Sequence, residues 1–368
     1  MREKNTIAEI IKVLEDYAPI PYQESYDNSG LQTGDASAEV SGVLLTLDCT
    51  EAVIDEAIAK GCNLVVAHHP VIFKGLKSLT GRSYVERTII KAIRHNIAIY
   101  ASHTNLDSVH NGVNARIAEK LQLTNVKMLS SKPHTLMQLV FFVPVQNTEE
   151  VLSAIHKAGA GQIGEYSDCS FQVQGKGRFL PSQNADPTIG VPGKAEQVEE
   201  NRIEVIFPAF KQHKIMQALL QAHPYEEVAH YLTLLENSNQ EVGIGMIGEL
   251  HEPMNEAAFL AYLKEKMELS VVRYTPVGDK TIRRVAVCGG SGSFLIKDAL
   301  RNGADAYVTA DVKYHEFFDA ENRLLIADIG HYESEVFTKG IFYDTISKNF
   351  ANFAVYLSEV NTNPIRYT

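Results

Sequence analysis

The chain has 368 residues, 45% of them hydrophobic, and a formal net charge of −11 at pH 7. That length supports two or three domains with full cores, while the acidic balance disfavours nucleic-acid binding, which needs clustered Lys and Arg. No apolar run approaches the roughly 18 residues of a membrane span, and Cys49, Cys62, Cys169 and Cys288 lie far apart without a CxxC pair, so they read as buried thiols of a cytoplasmic protein and not as a disulfide framework or thiolate zinc site.

The first 19 residues, MREKNTIAEIIKVLEDYAP, have the pattern of an amphipathic helix rather than a signal peptide. Next, SGVLLTLDCTEAVIDEAIAKGCNLVVAHHP parses as strand, turn, helix, Gly61 at the helix end, and strand. That is a βαβ unit, with parallel strands and a right-handed crossover. A further strand follows in NIAIYASHTNLD. The middle of the chain changes character: LMQLVFFVPV, TEEVLSAIHKAGA, CSFQVQGKGRFLP, NRIEVIFPAF, KQHKIMQALLQAH and PYEEVAHYLTLLE read as β, α, β, β, α, β, the ferredoxin-like order. Within it, the polar run 181–201 is expected to form a long hairpin excursion or a mobile loop.

GIGMIG, Gly243 to Gly248, satisfies GxGxxG but leads into ELHEP instead of opening a helix, so it fails the context of a dinucleotide fingerprint and reads as a turn-rich segment. From Arg283 to His315, RRVAVCGGSGSFLIKDALRNGADAYVTADVKYH repeats the βαβ parse. Its CGGSGSF turn offers backbone N–H groups to an anion, or is simply a tight turn that needs glycine; no Lys follows in the P-loop manner. RLLIADIGHYESE supplies one more strand.

The two βαβ stretches look duplicated. Placing Gly61 on Gly303 aligns helix with helix and sets His69 opposite Asp311; placing His103 on His331 sets Asp107 on Glu335. Each half thus carries a His and a carboxylate four apart just past a strand's carboxyl end, where open α/β sheets bind ligands. At i and i+4 of a helix, His331 and Glu335 project from one face. Together His68, His69, Asp107, His331 and Glu335 offer three imidazoles and two carboxylates, an N/O set suited to Zn, Mn, Fe or Co. Five donors are awkward for one tetrahedral ion and natural for two divalent ions per chain. An HH pair or an HxxxE alone is common by chance. Their joint placement after apolar strands of an apparent repeat carries the reading.

DNSGLQTGD, VVAHHPVIFKGLKSLTG, YASHTNLDSVHNGVN, GIGMIGEL, YVTADVKYH and IADIGHYESE resemble the successive signature segments of the GTP cyclohydrolase I type 2 homologue family, the Nif-three-like proteins. The resemblance covers residues 1 to about 130 and about 236 to 368. It implies that His68, His69, Asp107, His331 and Glu335 bind two divalent metals, zinc first among the candidates, with Glu335 as the bridge. It also implies a toroidal homohexamer, a trimer of dimers. Symmetry alone nominates His103 as a sixth ligand; the family pattern leaves it outside the metal shell, so His103 is expected to orient a ligand or to transfer a proton. Asp311 and His315 are weaker candidates for such support. HPYEEVAHYL resembles the corresponding stretch of CutA and PII-like trimeric domains.

The expected fold class is therefore α/β: two related halves, 1–132 and 236–368, forming one metal-binding domain, interrupted by a ferredoxin-like, PII/CutA-like α+β insert at 133–235. Three functions follow from such a centre. They are a metal-dependent hydrolase of a nucleotide-like substrate, a metal-handling or delivery protein, and a regulatory hexameric scaffold whose insert senses a small molecule.

Overall fold

The structure is a computed structural model that describes residues 5–368; the first four residues of the expected N-terminal helical pattern lie outside the described residues. In chain order the strands are β1 (Gly30–Thr33), β2 (Gly42–Thr46), β3 (Leu64–Ala67), β4 (Ala98–Ala101), β5 (Thr124–Ser131), β6 (Leu136–Pro144), β7 (Phe171–Phe179), β8 (Glu196–Pro208), β9 (His230–Leu235), β10 (Gly243–Met254), β11 (Arg273–Tyr274), β12 (Ile282–Ser291), β13 (Ala306–Ala310), β14 (Leu325–Asp328) and β15 (Ala354–Leu357). They belong to two compact units, Lys132–Asn239 and the chain that flanks it on both sides.

The flanking unit is a mixed α/β fold with two sheets, ordered β1-β4-β3-β2-β15 and β11-β14-β13-β12-β10-β5. In each, three central strands run parallel: β2, β3 and β4 in the first, β12, β13 and β14 in the second. Parallel strands covered on both faces must be apolar throughout rather than alternating, and all residues of β2, β3, β4, β13 and β14 are buried. Between the sheets lies one shared core in which Val43, Val66 and Tyr100 of the first meet helices at Ile7–Tyr17, Val113–Lys120, Glu256–Lys266 and Thr338–Asn349, with Val285, Val308 and Ala327 of the second on the same core. Helices Glu51–Lys60 and Tyr84–Arg94 cover the outer face of the first sheet, and Ile296–Arg301 that of the second.

Both βαβ crossovers end on the same device. Gly61 and Gly303 each take φ +69°, the left-handed conformation that closes a helix and that glycine adopts without a Cβ penalty. The two sequence halves nevertheless exchange strands. β5, from the first half, extends the second sheet by pairing antiparallel with β10, and β15, near the C-terminus, extends the first sheet by pairing parallel with β2. GIGMIG is not a turn-rich connection: it opens β10, a strand paired on both sides with β5 and β12. A Cβ on Gly243 would sit 2.4 Å from the Ser130 carbonyl oxygen, so glycine here admits the neighbouring strand.

The unit Lys132–Asn239 is a four-stranded antiparallel sheet ordered β7-β8-β6-β9, with helices Thr148–Ala158 and Gln212–Ala222 packed on one face. Leu139, Phe141, Ile203, Val205 and Phe207 meet Val151, Ile155, Ile215 and Leu219 there. β8 starts at Glu196, earlier than its apolar residues indicate, because its polar beginning pairs with β7 through Phe179↔Glu196. The expected excursion 181–201 is thereby shortened at its C-terminal end. The residues before His230 that read as strand form a turn.

Candidate metal centre

Three chain segments deliver the site, each leaving the carboxyl end of a parallel strand. β3 runs fully buried to Ala67, and the backbone N–H groups of His68 and His69 then both donate to the Leu47 carbonyl, at 3.1 and 3.0 Å. This clamp holds the two adjacent imidazoles at the strand mouth. β4 leads through His103 into the helical turn Thr104–Asp107. β14 leads through Gly330, at φ +92°, into the helical turn His331–Glu335.

The histidines share one arrangement. Nδ1 of His68 meets the Ser102 carbonyl at 2.8 Å, Nδ1 of His69 meets Asp48 at 2.7 Å, Nδ1 of His103 meets Asp27 at 2.8 Å, and Nδ1 of His331 meets Asp311 at 2.7 Å. Each partner is an acceptor, so Nδ1 carries the proton and a neutral ring keeps its Nε2 lone pair free. Fixing one ring nitrogen so that the other is presented is how proteins orient metal-binding imidazoles. The donors fall into overlapping groups: His68, His69 and His103; His69, His331 and Glu335; His68, Asp107 and Glu335. Within each, one ligand atom per residue lies within 4.8 Å of the others. Glu335 is central: Oε2 lies 2.9 Å from His69 Nε2 and 3.1 Å from His331 Nε2, and Oε1 lies 3.9 Å from His68 Nε2.

Two buried atoms test whether these residues fit a cation. His68 Nε2 and Asp107 Oδ1 face each other at 3.6 Å, too far for a hydrogen bond, and neither has a hydrogen-bond partner among the described residues. An unpaired buried polar atom costs about 1–3 kcal/mol. A lone pair opposite a carboxylate oxygen is satisfied by one cation between them, so the residues fit the group.

The electrostatics agree. Burial alone would raise the Glu335 carboxyl, yet hydrogen bonds from His331 and His69 hold it well below the usual carboxylate range. Asp107 goes the other way, raised by burial and then by the charge of Glu335. Burial lowers His68. Burial also opposes protonation of His69 and His331, but bonds to Asp48 and Glu335 raise His69 to about 9, and bonds to Asp311 and Glu335 raise His331 to about 11. Without metal, two imidazolium rings thus supply the positive charge that the carboxylates require.

The CGGSGSF turn belongs to this site. Gly289 N–H donates to Asn114 Oδ1 and Gly290 N–H to Ser334 Oγ, each at 2.9 Å. Asn114 in turn donates to the Asp107 carbonyl at 3.0 Å, and Ser334 Oγ to that of His331 at 2.8 Å. Two of the turn's donors thus help to hold the two helical turns that bear Asp107 and Glu335.

Of the residues singled out from sequence, His68, His69, His103, Asp107, His331 and Glu335 come together, and Asp311 supports His331. His315 does not join them. It is exposed on the turn Tyr314–Ala320, its ring against Tyr314 and Phe318, because the chain turns outward after Val312 is buried. Sequence reasoning assigned no role to Asp27 or Asp48. Asp27 stands in the DNSG motif, where it also accepts from Thr104 N–H at 3.0 Å, and its carboxyl is lowered, against burial, by His103 and Thr104. Asp48 accepts in addition from Thr362 Oγ1 at 2.6 Å, which ties the C-terminal segment to His69. The four cysteines are free.

The comparisons with known proteins follow the same outline. A family model described as Duf34/NIF3 (NGG1p interacting factor 3) matches residues 5–364. A Bacillus subtilis (strain 168) protein named GTP cyclohydrolase 1 type 2 homolog is 39% identical over 364 residues, 98% of each chain. A Bacillus cereus protein related to NIF3 has a crystal structure that superposes with a TM-score of 0.87 at 38% identity, covering 100% of both chains. A Staphylococcus aureus protein of known structure follows with a TM-score of 0.80 at 31% identity, again over 100% of both. With its motifs in order and the match running nearly end to end, the chain belongs to the Duf34/NIF3 family.

Proposed function

We propose that this cluster holds two divalent metal ions per chain, zinc before iron, manganese or cobalt, and that the loaded protein is a hydrolase acting on a nucleotide-like substrate. The donors are His68, His69, Asp107, His331 and Glu335. The observation that carries the reading is the convergence of imidazole Nε2 atoms on the buried Glu335 and the partly buried Asp107, with His68 Nε2 and Asp107 Oδ1 left without a hydrogen-bond partner among the described residues. The name of the Bacillus subtilis relative, GTP cyclohydrolase 1 type 2 homolog, supports the substrate class.

Divalent ions in such a site lower the pKa of water and polarise a substrate bond. The chain's own residues divide the remaining work. Glu335, touching both His69 and His331, is the donor placed to serve two ions at once. Ser102, Asp48 and Asp311 fix the tautomers and ring planes of His68, His69 and His331. His103 lies beside the ligands, its ring centroid 5.3 Å from that of His68 and 5.4 Å from that of His69, with Asp27 behind it, so it can accept a proton at Nε2 while Asp27 stabilises the imidazolium.

The unit Lys132–Asn239 we read as ferredoxin-like: its helix and strand sequence and its strand order β7-β8-β6-β9 support that reading. The assembly we propose is a homohexamer. The test of the function is metal content by mass spectrometry, on protein purified without added metal, for the native chain and for His69→Ala and Glu335→Gln. Close to two ions per chain, lost in both variants, supports the reading and directs a screen of nucleotide hydrolysis. Metal that is absent, or unaffected by both changes, refutes it.

A further inference from the structure

The HPYEEVAH motif has no part in the metal centre, and the structure gives it a different task. His223 is buried, donates from Nε2 to the Phe142 carbonyl at 2.8 Å and accepts at Nδ1 from the Tyr225 N–H at 3.1 Å. Both ring nitrogens are thereby committed, and the turn that follows is clamped to the edge of the sheet. On it, Tyr225, Glu226 and Glu227 face a cavity of about 800 Å³ that lies wholly within the unit Lys132–Asn239. Volumes of about 300–1,000 Å³ are those of small-molecule sites.

The opposite wall comes from the excursion between β7 and β8, and it is fastened to the same turn. The Asp186 N–H donates to Glu226 Oε2 at 3.0 Å and Thr188 Oγ1 donates to the Pro224 carbonyl at 2.6 Å. The first part of the polar run, expected as a long hairpin excursion or a mobile loop, thus forms one wall of a cleft that opens to solvent. Aromatic rings supply much of the rest: Phe179 lies 6.3 Å from Tyr225, and Phe142 lies 5.9 Å from Tyr231, between centroids.

The cavity's charge is one-sided. Glu200, Glu226 and Glu227 line it against Arg178 alone. Glu226 and Glu227 are exposed, but Glu200 is only 8% exposed and has no salt bridge to any described residue. Its carboxylate occupies room made for it, since a Cβ on Gly177 would come within 1.9 Å of Glu200 Oε2. Beside it the Tyr225 hydroxyl is buried and meets no acceptor at hydrogen-bond geometry. Burial and the adjacent Glu200 carboxylate raise that phenol, so it keeps its proton. A buried carboxylate without a counter-charge is costly unless a cation answers it, and aromatic faces around it attract the same kind of charge.

We propose that this cavity binds a small organic cation: a protonated amine or guanidinium carried on an apolar or aromatic body, with its charge against Glu200 and its body between the rings of Phe142, Phe179 and Tyr225. An inorganic ion leaves most of the volume unfilled, and an anionic ligand meets three carboxylates. The N–H groups of the cation donate to Glu200, beside the Tyr225 hydroxyl. The site is independent of the metal centre.

The test uses the full chain and three probes of one shape: phenethylammonium, 2-phenylethanol and phenylacetate, followed by calorimetric titration, with agmatine as a guanidinium probe. Saturable binding of a cation, at least about tenfold tighter than the neutral alcohol and with no binding of the carboxylate, is the expected result. Glu200→Gln then weakens the cation by about tenfold or more and narrows its advantage over the alcohol, while metal content stays that of the native chain. Tyr225→Phe keeps the ring and weakens binding by a smaller factor, and serves if the Glu200 variant fails to fold. The proposal is overturned if neither cation binds saturably, as when another copy of the chain fills the space. It is also overturned if the alcohol binds as well as phenethylammonium, or if the folded variants bind as the native chain does.

Discussion

Glu335 rests against the backbone of Gly290. A Cβ at Gly290 would lie 2.3 Å from Glu335 Oε1, and the residue adopts φ +60°, where L side chains are strained. Gly290→Ala therefore has two costs: about 1 kcal/mol or more for the backbone conformation, and displacement of a carboxylate held by His69 and His331. The expected outcome is a folded protein with a modestly lower Tm and a metal affinity reduced by about tenfold or more, read by competition with a chromophoric chelator. Unchanged affinity would show that Glu335 is free to move and is not the fixed donor inferred here.

The protonation of the metal-free cluster sets a pH dependence. In the fold, His69 is raised to about 9 and His331 to about 11, against 6.5 for an ordinary imidazole. Groups raised on folding stabilise fully below their unfolded pKa and lose that contribution as pH rises through the folded value. The metal-free protein is therefore expected to lose stability between about pH 7 and 11, measured as Tm in the presence of a chelator. Asp107, raised by burial and Glu335, acts in the same direction at lower pH, while Glu335, lowered by the histidines, contributes stability above 4.5 that is lost on acidification. Metal competes with the same protons, so its affinity is expected to rise with pH and its binding to release protons. A metal-free Tm that climbs across the alkaline range refutes the protonated cluster.

His103 separates a proton carrier from a ligand. Its ring joins His68 and His69 within 4.8 Å by donor atom, and Asp27 holds its Nδ1 just as Asp48 holds that of His69. With His103 as proton acceptor, His103→Ala is expected to retain metal at the native stoichiometry, whereas His69→Ala loses it. Loss of one ion per chain from His103→Ala would make it a ligand, as the internal symmetry with His331 suggests.

What was legible in the sequence has a physical pattern. His68, His69, Asp107, His331 and Glu335 stand directly after fully apolar strands, and a buried parallel strand announces where its carboxyl end will be. Ser102, Asp48 and Asp311 stand just past such strands too, but nothing in the chain says which imidazole each of them meets. Asp48 lies 21 residues from His69 and Asp27 lies 76 from His103, so sequence spacing does not pair them. Gly290 was recognisable as a position needing glycine, but the reason, the carboxylate of Glu335, belongs to a segment 45 positions away. The exchange of β5 and β15 between sheets was hidden for a different reason: side-chain alternation specifies which face of a strand is buried, not which strand lies beside it.

The C-terminal segment reaches the centre through neighbouring residues, Thr362 and Asn363. Thr362 Oγ1 donates to Asp48 Oδ2 at 2.6 Å, and Asp48 Oδ1 accepts from His69 Nδ1 at 2.7 Å. Next to it, Asn363 is buried and donates to Glu333 Oε1 at 2.9 Å, on the helical turn that carries His331 and Glu335. Thr362 is thus a positioning residue, acting on the metal site through Asp48. Thr362→Val keeps the shape of the side chain and removes the donor, so Asp48 loses one of the bonds that aim it at His69. Metal affinity is expected to fall by a factor of about three to tenfold, with little change in metal-free Tm, and Thr362→Ser is expected to restore it. Asp48→Asn, which removes the charge that stabilises the His69 imidazole, is expected to have the larger effect, about tenfold to a hundredfold. If Thr362→Val lowers Tm without touching affinity, the segment merely braces the fold; if both variants leave affinity unchanged, His69 needs no carboxylate behind it.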